Sequence, residues 1–282
     1  MNSSDEPRAA PPTAAGTRHA TRIGVVTPTL NAERYLDQTL RSIWSQASDD
    51  IVIDHVIVDG GSTDGTLEIA SGYPSRTVVA TDDQGMYDAV NRGMDLVEGD
   101  VVGYINGDDE IAPGGFRLIS EAFHQHPDSG WLCGRVEYVD GEGGVLGRMQ
   151  PVGLSLRSYL ALGWSCIPQQ TVWARRTLWE RVGPFDVAYR NCGDYDWYAR
   201  ALKIQEPMIL QQVLGRFRLH PGMLSLDSAK MDRESRMVQE RHGHRDGLAG
   251  YVRGKVLSLR LNARNPGWLV AKKRGRITFN AD

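Results

Sequence analysis

Short apolar runs alternate with helically spaced apolar positions through the first half of the chain. β-Branched and aliphatic residues dominate the runs, and Leu36, Leu40 and Ile43 are examples of the spaced positions. Such runs indicate buried strands, and the spaced positions indicate amphipathic helices. The predicted strands are 23–27, 52–58, 77–80 and 101–105, and the first predicted helix is 32–46. This alternation is typical of a parallel sheet with crossover helices.

The pattern changes after residue 130. Two strand-like segments, 131–139 and 145–149, flank a glycine-rich turn, which predicts a β-hairpin. Aromatic-rich helices follow, then a strand-like stretch at 208–219 and a helical C-terminal segment. The predicted fold class is α/β, with a Rossmann-like mixed sheet flanked by helices and a C-terminal helical extension.

Composition places the chain among globular proteins. Of its 282 residues, 41% are hydrophobic and 24% are charged, which excludes a fibrous or wholly disordered chain. Residues 1–21 lack the apolar centre of a secretory signal and are predicted to form a disordered leader. Cys133, Cys166 and Cys192 form no disulfide framework, so we expect a reducing, cytoplasmic location.

The net charge of −3 conceals an uneven distribution. Residues 228–282 contain 13 Lys and Arg against 5 Asp and Glu, an excess of +8, whereas the remainder of the chain sums to −11. The tail contains an apolar stripe at helical spacing. It is formed by Leu248, Val252, Val256 and Leu259 and bordered by Arg253, Lys255, Arg260 and Arg264. An anionic membrane surface, a nucleic-acid arm and an ordinary packed helix are all compatible with this pattern, and nucleic acid is not the partner we expect.

Acidic residues follow three of the predicted strands. Asp59 comes directly after the second strand, Asp83 comes after the third, and Asp108 and Asp109 come after the fourth. Ligands of open α/β sheets bind at these carboxyl ends, and clustered carboxylates suit Mg²⁺ or Mn²⁺ bound to a diphosphate. Turn formation is the alternative for each loop taken singly. The glycine fingerprints of dinucleotide-binding folds and P-loops are absent from the sequence.

Four blocks of sequence together resemble glycosyltransferase family 2. They are Val-Thr-Pro-Thr-Leu-Asn at 26–31, Val-Asp-Gly-Gly-Ser-Thr-Asp-Gly-Thr at 58–66, Asp-Gln-Gly-Met-Tyr-Asp-Ala-Val-Asn-Arg-Gly at 83–93 and Ile-Asn-Gly-Asp-Asp at 105–109. The resemblance runs from about residue 22 to 225. It implies a GT-A fold and an inverting, metal-dependent enzyme.

The resemblance also implies roles for the residues that follow the first three strands. Thr27, Pro28 and Asn31 would border the nucleotide. Asp59 would recognise the base or ribose, and Asp83 would line the base pocket.

The metal motif of the family matches Asn106, Asp108 and Asp109, with an amide in place of its first acid. We expect Asp108 to be the first ligand of Mn²⁺ or Mg²⁺ and Asp109 the second, with Asn106 and Asp109 also near the donor. The lost charge would weaken metal binding.

Inverting transfer needs a base that removes the proton of the acceptor hydroxyl. The segment 191–198 resembles the Glu-Asp-Tyr-Asp motif of the family, with Gly193 in place of Glu. Asp194 matches the catalytic base, with a helix N-cap as the alternative role. Asp196 is the rival base and a candidate acceptor contact.

Other acceptor residues are expected around 164–173. Gln169 and Gln170 are candidates for binding sugar hydroxyls, and Trp164 or Trp173 for stacking on a sugar ring, although Trp173 is favoured as a core residue. His220 is expected either to contact the metal or diphosphate or to be an exposed loop histidine.

The predicted function is transfer of a sugar from a UDP- or GDP-sugar to a hydroxyl of a glycan or lipid-linked acceptor, in polysaccharide or glycolipid synthesis. A lipid-linked acceptor would suit a cytoplasmic enzyme that lies peripherally on the inner face of a membrane. The alternative is a non-catalytic nucleotide-sugar-binding module, suggested by the missing acids. A sugar nucleotidyltransferase would need a Gly-rich loop with Arg and Lys, which 28–31 lacks. The expected domains are a catalytic unit at 22–227, with a nucleotide half at 22–127 and an acceptor half at 128–227, and an extension at 228–282.

Overall fold

The structure, a computed structural model, describes residues 20–153, 155–223, 228–244 and 247–277. The predicted leader lies outside the described residues except for 20 and 21. The strands are β1 (Thr21–Thr29), β2 (Ile51–Asp59), β3 (Arg76–Val79), β4 (Val101–Tyr104), β5 (Glu110–Ile111), β6 (Trp131–Val139), β7 (Val145–Met149), β8 (Trp173–Arg175) and β9 (Met208–Arg218). The helices are α1 (Leu36–Trp44), α2 (Thr66–Ser71), α3 (Met86–Leu96), α4 (Gly115–Gln125), α5 (Leu156–Leu162), α6 (Arg176–Val182), α7 (Gly193–Leu202), α8 (Ser228–Arg241), α9 (Leu248–Arg264) and α10 (Pro266–Lys273), with a short 3₁₀ helix at Gln169–Thr171.

The strands form one mixed sheet in the order β3-β2-β1-β4-β8-β6-β9-β5, with β7 paired to β6. β1 to β4 are parallel, as the alternation predicts. β8 is antiparallel to both β4 and β6, and β6 and β7 form the predicted hairpin. The prediction of a mixed α/β sheet is confirmed.

Two short strands and one helix boundary differ from the sequence prediction. β5 and β8 are too short to give a periodic signal of their own. The helix expected from residue 32 begins at Leu36. Asn31 has a left-handed φ of 50°, and a turn in which Leu36 N donates to Ala32 O precedes the helix. The loop after β1 is therefore longer than predicted and covers more of the edge of the sheet.

Aromatic side chains fill the core between the sheet and its helices. Trp173 is fully buried and packs edge-on against Phe116, which confirms its expected place in the core. A Cβ on Gly103 of the neighbouring strand would lie 2.7 Å from the Trp173 ring, so only glycine fits there. Trp164 is 38% exposed.

The C-terminal helices pack against the acceptor half. α9 crosses α5 so closely that a Cβ on Gly254 would lie 2.3 Å from the backbone oxygen of Ala161. Trp268 of α10 is buried with Tyr138 of β6. None of the described helices combines the length and the apolar character that a membrane crossing requires.

Candidate active site

The segments that follow β1, β2, β3 and β4 converge at one edge of the sheet. A Cβ on Gly60, after β2, would lie 3.6 Å from the Leu30 side chain and 3.2 Å from Asp83 Oδ2. A Cβ on Gly107, after β4, would lie 3.2 Å from both Ala32 and Thr29. The carboxyl ends of the parallel strands thus form one cleft, which is where the sequence places the candidate ligand contacts.

Asp59 organises the loop after β2. Its carboxylate is fully buried and accepts hydrogen bonds from Thr29 Oγ1 at 2.9 Å, Gly61 N at 3.0 Å and Ser62 N at 2.7 Å. The Ser62 hydroxyl donates to the second oxygen at 2.6 Å. These bonds are those of a turn residue, and they fix the loop shape that a nucleotide would meet. Its contact with the base or ribose stays a prediction.

Asn31 ties the first loop to the second, since its Oδ1 accepts from Thr63 N at 2.9 Å and its N–H donates to Ser62 Oγ at 2.8 Å. Pro28 is buried near the end of β1. Thr27 points into the sheet, where its hydroxyl lies 2.9 Å from His55 Nε2. Burial lowers the pKa of His55 to about 3, so this histidine is a neutral hydrogen-bonding partner.

Asp83 holds the loop that leads into α3. Its Oδ1 accepts from Gly85 N at 3.0 Å, and Gly85 has a φ of 108°. A Cβ at Gly85 would lie 2.6 Å from the guanidinium of Arg190. Arg190 belongs to the loop before α7, so this cation brings the third nucleotide loop against the acceptor half.

Asp109 is turned into the protein rather than towards the cleft. It is 1% exposed, and it accepts from Arg218 N at 3.0 Å, Gln170 Nε2 at 2.8 Å and Asn106 Nδ2 at 3.3 Å. Burial, and then the charge of Asp108, raise its pKa well above the usual value. This carboxyl group therefore supports the metal motif through its contacts with Asn106, Gln170 and Arg218.

Asp108 is the more open acid of the pair, with 30% of its side chain exposed and Oδ2 2.9 Å from His220 Nε2. His220 Nδ1 accepts from Gly222 N at 3.2 Å, so Nε2 carries the proton that is donated to Asp108. The imidazole also packs against the Tyr35 ring, 4.8 Å between centroids. His220 is therefore not an exposed loop histidine, and its contact with the metal or diphosphate stays a prediction.

Only part of a metal coordination sphere is present. Among the described residues no group of three His, Cys, Asp or Glu side chains is placed to hold an ion. Asp108 supplies one ligand oxygen, His220 Nε2–H orients its carboxylate, and the buried Oδ1 of Asn106 has no hydrogen-bond partner among the described residues. This set fits a cation that takes its remaining ligands from a diphosphate and water, as Mg²⁺ commonly does.

Arg218, which ends β9, locks the metal motif in place. Its guanidinium is 1% exposed and donates to Asp108 O at 3.0 Å, to Gln38 Oε1 at 2.7 Å and to the Glu110 carboxylate. It also lies over the Tyr35 ring. The backbone that carries Asp108 is thereby fixed relative to β9 and to the loop of His220.

Asp194 is the second residue of α7, on the other side of the cleft. It is not an N-cap, because Cys192 occupies that position. Its Oδ1 accepts from Tyr195 N at 2.8 Å and from the Tyr87 hydroxyl at 3.2 Å. Burial raises the pKa of Asp194 to about 6, although both hydrogen bonds act to lower it. A carboxylate tuned in this way is suited to accept a proton near neutral pH.

Tyr87 accounts for the departure from the family motif at Gly193. A Cβ on Gly193 would lie 2.7 Å from the Tyr87 ring, so no side chain fits at that position. The Tyr87 hydroxyl reaches Asp194 Oδ1 and also lies 3.3 Å from Asn191 O. An aromatic residue of α3 thus fills the space beside Asp194.

Glu234 of α8 fixes the loop that precedes the base. Its carboxylate accepts hydrogen bonds from the N–H groups of Arg190, Asn191 and Cys192 at 3.0, 2.8 and 2.9 Å. The same negative charge helps to raise the pKa of Asp194. A residue of the basic C-terminal segment is therefore part of the support of the candidate site.

Asp196 serves a different purpose from Asp194. It is fully buried, pairs with Arg200 Nε at 2.8 Å and lies 2.9 Å from His242 Nε2 of the segment after α8. Hydrogen bonds from His242 and the charge of Arg200 outweigh burial and lower its pKa. Its oxygens are thus engaged in holding α7 to α8, away from the base position.

Gln169 and Gln170 lie next to the metal motif. Gln170 donates to Asp109, and Gln169 Nε2 donates to the backbone oxygen of Tyr104 at 2.6 Å. Gln169 Oε1 is buried without a partner among the described residues. The pKa of the buried Tyr104 phenol is raised by burial and then by the charges of Asp194 and Asp109.

Sequence reasoning missed Tyr35, Tyr87, Arg218 and Glu234. Tyr87 lies inside a quoted family block, so its position beside a catalytic motif is the signal that was available. Glu234 gave no such signal, because it is a single acidic residue in a basic C-terminal segment.

Comparison with known proteins identifies the family of the chain. The family model described as Glycosyl transferase family 2 matches residues 24–176. A "PGL/p-HBAD biosynthesis glycosyltransferase" of Mycobacterium bovis (strain BCG / Pasteur 1173P2) is 31% identical over 187 residues, which cover 64% of this chain and 70% of that protein.

Two solved structures illustrate the shared GT-A fold. S. aureus TarS 1-349 in complex with UDP aligns with a TM-score of 0.62 and 19% identity over 86% of this chain and 71% of that one. A mannosyltransferase from Pyrobaculum calidifontis in complex with GDP-Man and Mn²⁺ aligns with a TM-score of 0.58 and 17% identity, covering 91% and 80%. With more than half of its length matched by the family model, the chain belongs to glycosyltransferase family 2 and is a glycosyltransferase.

Proposed function

We propose that this enzyme transfers a sugar, with inversion, from a UDP- or GDP-sugar to a hydroxyl group of a glycan or lipid-linked acceptor. The observation that carries the proposal is Asp194, a carboxyl group whose pKa is raised to about 6 and whose Oδ1 is held by the Tyr87 hydroxyl of α3. An acid of this kind is needed on the side of the acceptor.

The donor would lie across the loops that follow the first strands. Asp59 and Asn31 give those loops their shape, and Asp83 lies beside Gly60 at the expected base pocket. Thr27 and Pro28 form the buried floor of the loop after β1. UDP and GDP-Man in the two structural neighbours support a nucleoside-diphosphate donor.

Asp108 would hold a divalent cation, Mn²⁺ or Mg²⁺, with the unpartnered Asn106 Oδ1 as a second candidate ligand and His220 orienting the Asp108 carboxylate or contacting the diphosphate. When bound, the cation would neutralise charge that develops on the leaving diphosphate. The Mn²⁺ in the mannosyltransferase structure supports this assignment. Asp109 keeps the motif rigid through Gln170 and Arg218.

Asp194 would accept the proton of the acceptor hydroxyl as the oxygen attacks the anomeric carbon. The new C–O bond forms on the face opposite the bond to the diphosphate, which breaks, so the anomeric centre inverts. Tyr87 donates to Asp194 Oδ1 and leaves Oδ2 for the hydroxyl. The alternative of a module that binds without catalysis loses its support at Gly193, because Tyr87 occupies that space.

The acceptor is proposed to be a hydroxyl on a glycan or glycolipid, in polysaccharide or glycolipid synthesis. The named role of the curated relative in PGL/p-HBAD biosynthesis supports this class. Gln169, with an unpartnered oxygen, is the proposed acceptor contact. We place the enzyme in the cytoplasm, on the inner face of the membrane.

A thermal-shift screen of UDP-, GDP- and dTDP-sugars, with and without Mn²⁺, tests the donor proposal. One nucleotide class is expected to raise the melting temperature, and more so with Mn²⁺, because ligands that bind only the folded state stabilise it. Asp108→Asn is expected to remove the Mn²⁺-dependent part. A melting temperature unchanged by every nucleotide would contradict the proposal.

A further inference from the structure

One face of α9 presents an apolar stripe to solvent. Its side chains are between 49% and 80% exposed, and they recur every three or four residues, which places them on one side of the helix. They are Leu248, Tyr251, Val252, Val256 and Leu259. None of the other described residues covers this stripe. An unpartnered apolar face of this length is typical of an interaction site.

The opposite face of α9 is firmly packed. Leu257 and Leu261 are buried, and Gly254 lies in contact with the backbone of α5. The rotation of α9 about its own axis is therefore fixed by its contact with α5. The outward direction of the stripe is a consequence of that packing.

Positive charge surrounds the stripe. Residues 247–277 contain eight Lys and Arg and no Asp or Glu. All eight side chains are exposed, and none forms an ion pair with a described carboxylate. They are Arg253, Lys255, Arg260, Arg264, Lys272, Lys273, Arg274 and Arg276. The exposed face of α9 thus combines apolar and basic side chains, with Lys255 Nζ over the Tyr251 ring, and further cations follow at 272–276.

This surface is one helix away from the candidate base. α5 lies between α9 and α7, since the Tyr195 hydroxyl of α7 lies 3.4 Å from the backbone oxygens of Tyr159 and Leu160. A partner bound along α9 would therefore be held beside the acceptor half. This position would be useful if the acceptor came from the same partner.

We propose that the exposed faces of α9 and α10 dock on a membrane containing anionic phospholipid and so present a lipid-linked acceptor to Asp194. The apolar stripe would enter the acyl boundary while the cations contact the headgroups. A second copy of the chain is disfavoured as the occupant, because two such surfaces would bring like charges together. The docking itself does not depend on the proposed reaction, whereas the presentation of the acceptor rests on it.

Vesicle sedimentation of the full-length chain tests the docking. The lipids are phosphatidylcholine alone and phosphatidylcholine mixed with phosphatidylglycerol, at low and high salt. The stripe variant carries Leu248→Ser, Val252→Asn and Leu259→Asn, and the charge variant carries Arg253→Gln, Lys255→Gln and Arg260→Gln. A matched control carries Val52→Asn and Val79→Asn, two exposed valines on β2 and β3.

The wild type and the control are expected to sediment with anionic vesicles, and less so at high salt. The charge variant is expected to bind at least about tenfold more weakly because it loses three cations that would contact the headgroups, and the stripe variant likewise because it loses the apolar side chains that would enter the acyl boundary. Unchanged melting temperatures and nucleotide responses show that the variants are folded. Substitution is preferable to removal of the tail, because the tail contains Glu234.

Equal binding by the stripe variant and the wild type would overturn the proposal. Failure of the wild type to sediment with anionic vesicles would also overturn it. Self-association of the wild type without lipid, lost in the stripe variant, would assign the surface to a second copy instead. If transfer to a soluble acceptor failed while vesicle binding persisted, the proposed function would be wrong and the docking surface would stand.

Discussion

The proton affinity of Asp194 is set by a few neighbours that act in opposite directions. Burial and the charge of Glu234 raise its pKa, while the Tyr87 hydroxyl lowers it. The other ionisable groups that face it, Tyr104, Tyr159, Tyr198 and Cys192, have pKa values raised by burial and stay neutral near pH 7. Asp194 is therefore the group whose titration near pH 6 we expect to see in the kinetics.

Tyr87→Phe and Glu234→Gln are expected to move the acidic limb of the kcat/KM profile in opposite directions. Losing the hydroxyl removes a hydrogen bond to the carboxylate, so the limb moves to higher pH. Losing the negative charge of Glu234 favours ionisation, so it moves to lower pH. Each shift is expected to be on the order of half a pH unit.

The measurement is the pH dependence of kcat/KM for both variants and the wild type. Purely structural damage would lower the plateau and leave the midpoint in place. Shifts in the same direction for both variants would contradict the assignment.

Asp194→Asn is expected to inactivate the enzyme and to stabilise its fold above pH 6. The raised pKa means that the stabilisation from protonation is complete below the unfolded value near 3.8 and is lost as the pH rises through about 6. Asp194→Asn does not lose this stabilisation. Above pH 6 its free energy of unfolding is therefore expected to exceed that of the wild type by roughly 1–3 kcal/mol, and below pH 4 this difference is expected to disappear. Melting temperatures across this range measure it, and an advantage that grew on acidification would contradict the account.

At the scale of elements, β9 connects the metal motif to the rest of the sheet. Arg218 and His220 lie at its carboxyl end, and both contact Asp108. The apolar pattern predicted this strand, but it gave no indication of the role of Arg218, because a single Arg at the end of a strand has no periodicity. The contacts became visible only when the pairing of β9 with β5 and β6 was known.

Arg218→Met is expected to reduce the free energy of unfolding by about 3–5 kcal/mol, because Glu110 keeps only its 3.5 Å contact with Arg216 and both Asp108 O and Gln38 lose a buried donor. Arg117→Met is the matched control, since Arg117 pairs with Glu121 on the surface of α4 and its loss should cost less than about 1 kcal/mol. Urea unfolding measures both. Equal costs for the two variants would mean that Arg218 does not lock the motif.

Gly193→Glu restores the acid of the family motif and yet is expected to impair this enzyme. The new Cβ would clash with the Tyr87 ring, at a cost of about 1–3 kcal/mol. Transfer rate and melting temperature should both fall. Adding Tyr87→Ala to Gly193→Glu should restore part of the melting temperature, and a Gly193→Glu enzyme as stable as the wild type would contradict the packing argument.

At the scale of the whole molecule, the charge division of the sequence corresponds to two surfaces. The acidic body contains the cleft with Asp59, Asp83 and Asp108, and the basic tail forms the surface of α9 and α10. The parallel strands and the mixed sheet were predictable, because burial imposes a periodicity that survives in the sequence. The placement of Glu234 was not, since contacts between distant segments leave no local pattern.

The account as a whole depends on Asp194 as the base of a transfer reaction. The most direct test is single-turnover transfer by Asp194→Asn, followed by mass spectrometry, with donor affinity measured on the same preparation. We predict donor binding within about twofold of wild type and a transfer rate reduced by roughly 10²–10⁴-fold, the usual contribution of a general base. Near-normal transfer with unchanged donor binding would contradict the central claim.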